Sequence, residues 1–378
     1  VKTLQIGLEW FPERGGGLDR YYYDCCQYLP QADIEFTGLI AGSNKVIQDS
    51  KGKVRAFASP TDSLIQRWLQ IRNIFAQTLA DDQYDLIISH FAFYTFPLLT
   101  QLQNLPLVTH FHGPWALESD VEVKKPLAIW FKKQIEQAVY KRSSQFIVLS
   151  QTFRDILHQE YRVPLEKIHV IPGGVDIDRF NINLSPTEAR TKLNWHPDRP
   201  TIFCIRRLAK RMGLENLVTA MVQIRHRYPD IILYIAGKGA LADTLQTQIT
   251  ELELTDNVKL LGYLPDERLP LCYRAANFSV VPTIALEGFG LIVIESLAAG
   301  TPVLGTPIGG IPEILRPFSE DLIFEGCTSE QLAKGIIEAL SGDRLLPTSQ
   351  ACLDYVTANY HWHNIAQKIK LVYQSALN

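Results

Sequence analysis

The sequence predicts an α/β protein built from two doubly wound, Rossmann-like domains with parallel sheets. Short apolar, β-branched runs alternate with helix-length segments along the chain. The runs are continuously apolar, as in strands covered by helices on both faces. At 378 residues the chain exceeds one ordinary core, and length alone fits two domains or one large α/β unit. In the first half the runs are "TLQIGLE", "YDLIISH", "LPLVTHF", "QFIVLS" and "KIHVIP". In the second they are "TIFCI", "IILYIAG", "NVKLLGY", "NFSVVP" and "TPVLGT". Periodicity fails over residues 180–200, where Pro, Asn and Asp cluster, so the expected domains are 1–182 and 183–356. Residues 357–378 form an amphipathic C-terminal helix with Ile365, Ile369, Leu371 and Val372 among its apolar positions; it can pack on either domain, crossing back in the case of the N-terminal one.

Composition narrows the function classes. Hydrophobic residues make up 46% of the chain and charged residues 20%, with a formal net charge of -3, as expected of a globular protein. The charge balance carries no basic footprint for nucleic acid. Six cysteines, Cys25, Cys26, Cys204, Cys272, Cys327 and Cys352, show neither a C-x-x-C pair nor a His partner at zinc spacing, which reads as a reduced, cytoplasmic chain. Cys25 and Cys26 read as buried helix positions. No signal-like start and no run of 18 apolar residues is present, so neither secretion nor membrane spanning is expected.

The chemistry concentrates in "ALEGFGLIVIESLAAGTPVLGT". A strand ends near Pro282, a Gly-containing turn follows, a helix begins near Gly290, and Gly300 with Pro302 stops it. Free N–H groups at the helix start, from about Gly290 and Leu291, favour an anion such as a diphosphate, and Gly288 and Gly290 admit a ligand close to the backbone. Glu287 and Glu295 bracket this turn. Carboxylates that hydrolyse a glycoside lie about 5–9.5 Å apart, whereas i and i+8 on one helix are roughly 12 Å apart along the axis; an acid/base couple is not the expected reading. Glu295 is a carboxylate in an otherwise apolar helix. It needs partners, and a buried ion pair and ligand hydroxyls both qualify.

These residues resemble the retaining glycosyltransferases of family 4, whose fold is the two-domain GT-B type. The family signature, a glutamate, seven residues and a second glutamate, matches Glu287 and Glu295 in "EGFGLIVIE". The resemblance implies that Glu287 faces the donor sugar, that Glu295 holds the nucleotide ribose, and that Gly288, Phe289, Gly290 and Leu291 line the donor. "EWFPERGGGLDR" is similar to the family's Gly-rich loop, with Gly15, Gly16 and Gly17 opening a helix after the first strand. In "LPLVTHFHGPW", His112 matches the family His beside the transferred sugar, and His110 reads as structural. "CIRRLAKRMGLENL" resembles the Gly-Arg-Leu segment and the later Lys-Gly, with Arg207 as the diphosphate-binding Arg. It departs at Arg206, where the family has Gly, and at Met212, where it has Lys; Arg211 or Lys210 would then reach the anion. Lys238, Gly262, Tyr263 and Leu264 occupy the places of the loops bordering the nucleotide. In "HVIPGGVDIDRF", the cleft-facing candidates are Gly174 and Asp176.

The resemblance thus implies a retaining hexosyltransferase that moves a sugar from a nucleotide-sugar donor, UDP- or GDP-linked rather than ADP-linked, to a sugar or lipid-linked acceptor. The donor sits in the C-terminal domain and the acceptor in the N-terminal one, across a cleft that closes. His112, Glu287 and Arg207 are the expected catalytic residues. No cofactor and no metal is expected: Asp176-Ile177-Asp178 is formally the metal-chelating D-x-D, a three-residue match frequent by chance. Gly237-Lys238-Gly239 lacks the third Gly of a dinucleotide fingerprint. Ser150 reads as a helix cap. The helix "KKPLAIWFKKQIEQAVYKR", with Lys124, Lys125, Lys132, Lys133, Lys141 and Arg142 beside Trp130 and Phe131, is either a solvated face or a peripheral contact at the inner face of a membrane. A glycosyl phosphorylase, a sugar-nucleotide epimerase of similar fold, and a sugar-nucleotide-binding module without turnover are the alternatives.

Overall fold

The computed structural model describes residues 1–11, 13–102, 104–122 and 125–377. The chain forms two compact units, Val1–Gly173 with Trp362–Asn378, and Gly174–His361. Unit 1 holds β1 (Lys2–Glu9), β2 (Glu35–Ala41), β3 (Val54–Ala58), β4 (Leu86–Ser89), β5 (Leu107–Phe111), β6 (Gln145–Val148) and β7 (Ile168–Val170). Unit 2 holds β8 (Thr201–Ile205), β9 (Ile232–Ala236), β10 (Val258–Gly262), β11 (Phe278–Val281) and β12 (Val303–Gly305). The orders are β3-β2-β1-β4-β5-β6-β7 and β10-β9-β8-β11-β12, with every pairing parallel. Each order reverses once, between β1 and β4 and between β8 and β11. At such a switch the crossovers leave to opposite faces, and the carboxyl ends of the strands frame a crevice within the unit.

The ten apolar runs are strands, and two further strands, β2 and β3, join them at the edge of unit 1. Gly38 interrupts the run in β2 for a packing reason: a Cβ there would lie 2.3 Å from the Tyr22 hydroxyl. That hydroxyl donates to the Gln5 carbonyl at 3.1 Å, seating the helix Gly17–Tyr28 closely on β1 and β2. Cys25 and Cys26 are buried in this helix.

The boundary falls at Gly173 and Gly174 rather than at 182, because the crossing segment is tied to unit 2. Val175 bridges His361, its N–H donates to the Tyr360 carbonyl at 2.9 Å, and Arg179 pairs with Asp266. The return falls at Trp362 rather than 357. Helix Trp362–Ser375 belongs to unit 1 and buries Trp362, Ile365, Ala366, Ile369, Val372 and Tyr373. Leu371 is the exception to the expected apolar stripe: it lies one position before Val372, turns outward and is 67% exposed. Residues 180–200 are not a plain linker either. Ser185 and Glu188 form a reciprocal capping box ahead of the helix Pro186–Leu193, with Pro186 in its first turn.

Unit 1 also carries a buried carboxyl. Glu136 accepts from the N–H groups of Trp115 at 2.9 Å and Ala116 at 3.3 Å, at the start of helix Trp115–Glu122, and from the Tyr161 hydroxyl at 2.7 Å. Burial outweighs these donors and pushes Glu136 from 4.5 up to about 7. Between those values the folded protein keeps a proton that the unfolded chain has lost, so this group's contribution to stability falls as pH rises from about 4.5 to about 7. Urea unfolding at pH 5 and pH 7.5 is expected to show a smaller loss of midpoint with rising pH in Glu136→Gln than in the parent chain; equal losses would contradict this.

Candidate functional site

In unit 2 the site is built where the sheet order reverses. β11 ends at Val281, and the chain crosses Pro282 to Gly290 before the helix Leu291–Ala298 begins. Leu286 has φ 52, a left-handed conformation that a branched side chain adopts at a cost, and Gly290 follows at φ 97. Close contacts hold this turn. Arg211 Nη1 donates to the Leu286 carbonyl at 2.8 Å, Gly310 N–H donates to the Glu287 carbonyl at 3.0 Å, and Gly309 leaves no room for a Cβ, which would stand 1.9 Å from that carbonyl. Glu287 lies outside the helix. The two glutamates are therefore not eight residues apart on one helix axis.

Arg206, just after β8, makes an ion pair with Glu287. Its guanidinium binds Glu287 Oε2 and donates to Thr283 Oγ1 at 2.6 Å, and the two charged side chains are 8% and 12% exposed. In the sequence Arg206 shows only as a departure from Gly, because its partner is 81 residues away. Arg207, the expected diphosphate Arg, is exposed, as is Lys210. Arg211 is buried with the turn, and Met212, in the place of the family Lys, is buried as well. Phe289 packs its ring on Tyr360 at 5.9 Å, so its side chain faces the interior. Glu295 is nearly buried, and the Tyr273 hydroxyl lies 3.3 Å from its Oε2.

The loops after β9 and β10 meet beside this turn's neighbour β8. Gly237 N–H donates to the Gly262 carbonyl at 2.8 Å, Leu208 N–H donates to the Lys238 carbonyl at 2.9 Å, and Lys238 Nζ stands 5.0 Å from the Tyr263 ring centre. Gly237 is required there, since a Cβ would fall 1.8 Å from the Arg206 carbonyl. Lys238, Gly262 and Tyr263 are thus brought together, with Leu264 next along the chain. Asp176 accepts from Arg179 N–H at 3.1 Å and caps helix Ile177–Phe180, which gives the first Asp of D-x-D a structural partner.

In unit 1, Gly16 caps and Gly17 opens the helix Gly17–Tyr28 after β1, as expected. Asp19 lies under this turn, accepts from Glu9 N–H at 3.2 Å, and is pushed by burial up to about 7. Ser150 caps the helix Gln151–Tyr161, accepting from Phe153 N–H at 3.1 Å. At the carboxyl ends of β4 and β5, His90, His110 and His112 form one cluster. Burial drives His112 down to about 3 and the other two well below their usual value, so all three rings are neutral near pH 7. His90 ends "YDLIISH", and its partner Gln5, 85 residues away, leaves no mark on its spacing. In helix Pro126–Arg142, Leu127, Trp130 and Phe131 are 85%, 58% and 63% exposed; Lys124 lies outside the described residues. Among the described residues no helix is long and apolar enough to cross a membrane.

Two Rossmann-like units, each with its crevice at a sheet reversal, define the GT-B type. The structure aligns over 99% of its length with 98% of sucrose-phosphate synthase from Thermosynechococcus elongatus, at a TM-score of 0.83 and 22% identity. It aligns over 99% with 100% of the Anabaena protein HepE solved with UDP, at a TM-score of 0.79 and 20% identity. The family descriptions "Glycosyl transferases group 1" and "Glycosyltransferase Family 4" match residues 186–362 and 15–179. The chain belongs to glycosyltransferase family 4. Among curated proteins it is 30% identical to a GDP-mannose-dependent alpha-(1-6)-phosphatidylinositol monomannoside mannosyltransferase of Mycobacterium tuberculosis, over 54% of this chain and 55% of the relative. The match thus spans about half the length of that relative.

Removing one member of the Arg206–Glu287 pair leaves a charge with little water around it. Arg206→Ala is expected to lower unfolding free energy by about 3–5 kcal/mol, and Arg206→Ala/Glu287→Ala by less than the sum of the single changes, in urea unfolding. Additive losses would show that the two charges do not interact.

Proposed function

We propose that the protein is a retaining glycosyltransferase, moving a hexose from a nucleotide-diphosphate donor to a hydroxyl of a saccharide, glycolipid or small metabolite. The observation that carries the reading is the held turn from Leu286 to Gly290, which sets Glu287, a helix start and Glu295 in succession at the sheet reversal of unit 2. A helix start with close backbone access takes a diphosphate. Arg207 and Arg211 supply cationic charge beside it, which favours departure of the nucleotide by electrostatic stabilisation and needs no metal. Glu287 orients sugar hydroxyls through the oxygen not held by Arg206, and Glu295 accepts from ribose hydroxyls. Lys238, Gly262, Tyr263 and Leu264 border the base. Unit 1, with Gly16, Gly17 and His112, is assigned the acceptor.

The donor base is uracil or guanine. Support comes from HepE, solved with UDP and with UDP-glucose, and from the GDP-mannose-dependent relative. A panel of UDP-, GDP- and ADP-sugars is expected to raise the melting temperature for one of the first two classes. Glu295→Gln is expected to weaken donor binding about 10-fold, the loss of one charge-assisted hydrogen bond. Glu287→Ala is expected to lower turnover with donor affinity nearly unchanged. If no nucleotide sugar stabilises the protein the reading fails, and equal effects of the two substitutions would remove the division of roles.

A further inference from the structure

The hydrogen-bond chain behind the histidine cluster fixes which ring nitrogens are bare. Thr3 donates its hydroxyl to the Glu35 carbonyl at 2.8 Å and accepts from Gln5 Nε2 at 3.0 Å. Gln5 Oε1 therefore faces His90 Nε2, 2.8 Å away, and takes its proton in a hydrogen bond. His90 Nδ1 is then a lone pair, and His112 Nε2 at 3.2 Å donates to it. On the other side, His110 Nε2 lies 2.8 Å from the Tyr373 hydroxyl. Among the described residues His110 Nδ1 has no hydrogen-bond partner, although the residue is only 2% exposed. A lone pair there costs less than an unpaired N–H.

We propose that His90, His110 and His112 form a binding site for a first-row transition-metal ion of the Zn²⁺ or Co²⁺ class. One ring nitrogen from each lies within 4.8 Å of the others. Two nitrogens on a tetrahedral ion with bonds of 2.0–2.1 Å stand about 3.3 Å apart; those of His90 and His112 are 3.2 Å apart, aimed at each other in the hydrogen bond that the ion would replace. The near-parallel rings reach the ion by a tilt of His90 and His110 about their tied far nitrogens, which brings the three nitrogens in from at most 4.8 Å. Three imidazoles suit such ions better than Mg²⁺ or Ca²⁺. The outer contacts are those that metal-bound histidines use: His90 and His110 each have the far nitrogen tied, to Gln5 and to Tyr373, which fixes the ring and leaves Nδ1 for the ion. As the ion binds, the proton on His112 Nε2 moves through solvent to Nδ1 of the same ring, so the ring stays neutral. His112 is part-exposed, which gives the ion its path and a fourth position for water.

The test is spectroscopic and independent of glycosyl transfer. The untagged chain, stripped with a chelator, is titrated with Co²⁺. One equivalent is expected to give the intense visible absorption of a low-symmetry, four-coordinate ion, bleached by Zn²⁺. Tyr373→Phe, which removes only the outer contact, is expected to weaken Co²⁺ binding about 10- to 100-fold, and His110→Gln to abolish the absorption. Where His110→Gln does not fold, His112→Gln, at the part-exposed position, carries the same comparison. The pale spectrum of aqueous Co²⁺ alone in the parent protein, or absorption unchanged in the folded histidine variants, would overturn the proposal.

Discussion

The turn from Leu286 to Gly290 is the constraint on which the rest of unit 2 depends. A leucine at φ 52 is unfavourable in isolation, and the conformation persists because its carbonyl receives the Arg211 guanidinium while the next carbonyl receives the Gly310 N–H. With the turn fixed, Glu287 is aimed by Arg206 and the helix Leu291–Ala298 starts at Gly290. The packing around it is built for this approach. Gly213 sits against the Pro282 carbonyl and Gly309 against the Glu287 carbonyl, each with no space for a side chain. Arg211 thus has a scaffolding duty in addition to the charge assigned to it.

Unit 1 uses buried polar groups differently. Its histidines meet where β4 and β5 end, and their ties reach back to β1 through Gln5 and across 263 residues to Tyr373. The C-terminal helix is therefore part of the unit's polar interior as well as its apolar core. Trp362, at its start, stacks on Tyr28 with ring centres 5.5 Å apart. Losing the Tyr373 contact would leave the buried His110 ring with neither nitrogen paired, which ties the helix and the cluster into one folding unit.

The parts legible in the sequence were those encoded locally. Ten strands show as apolar runs because parallel strands buried on both faces need them. The strand, turn and helix at 278–298 show because glycines mark the turn and Pro302 follows the helix. Strand β2 was hidden by Gly38, whose place is dictated by Tyr22 from another element. The helix 186–193 carried a local signal, S-x-x-E with Pro between, that the density of loop-forming residues obscured. Arg206 and His90 could not be assigned from spacing, because what they touch lies 81 and 85 residues away. The boundary at 173 was displaced for the same reason: Val175 pairs with a residue near the far end of the chain.

The most direct measurement is backbone hydrogen–deuterium exchange across residues 286–295, with and without saturating UDP or GDP. A diphosphate seated on the start of helix Leu291–Ala298 slows exchange in its first turn and in the turn before it, and leaves the edge strand β3 unchanged. Identical exchange over 286–295 with and without either nucleotide would contradict a donor site at this turn.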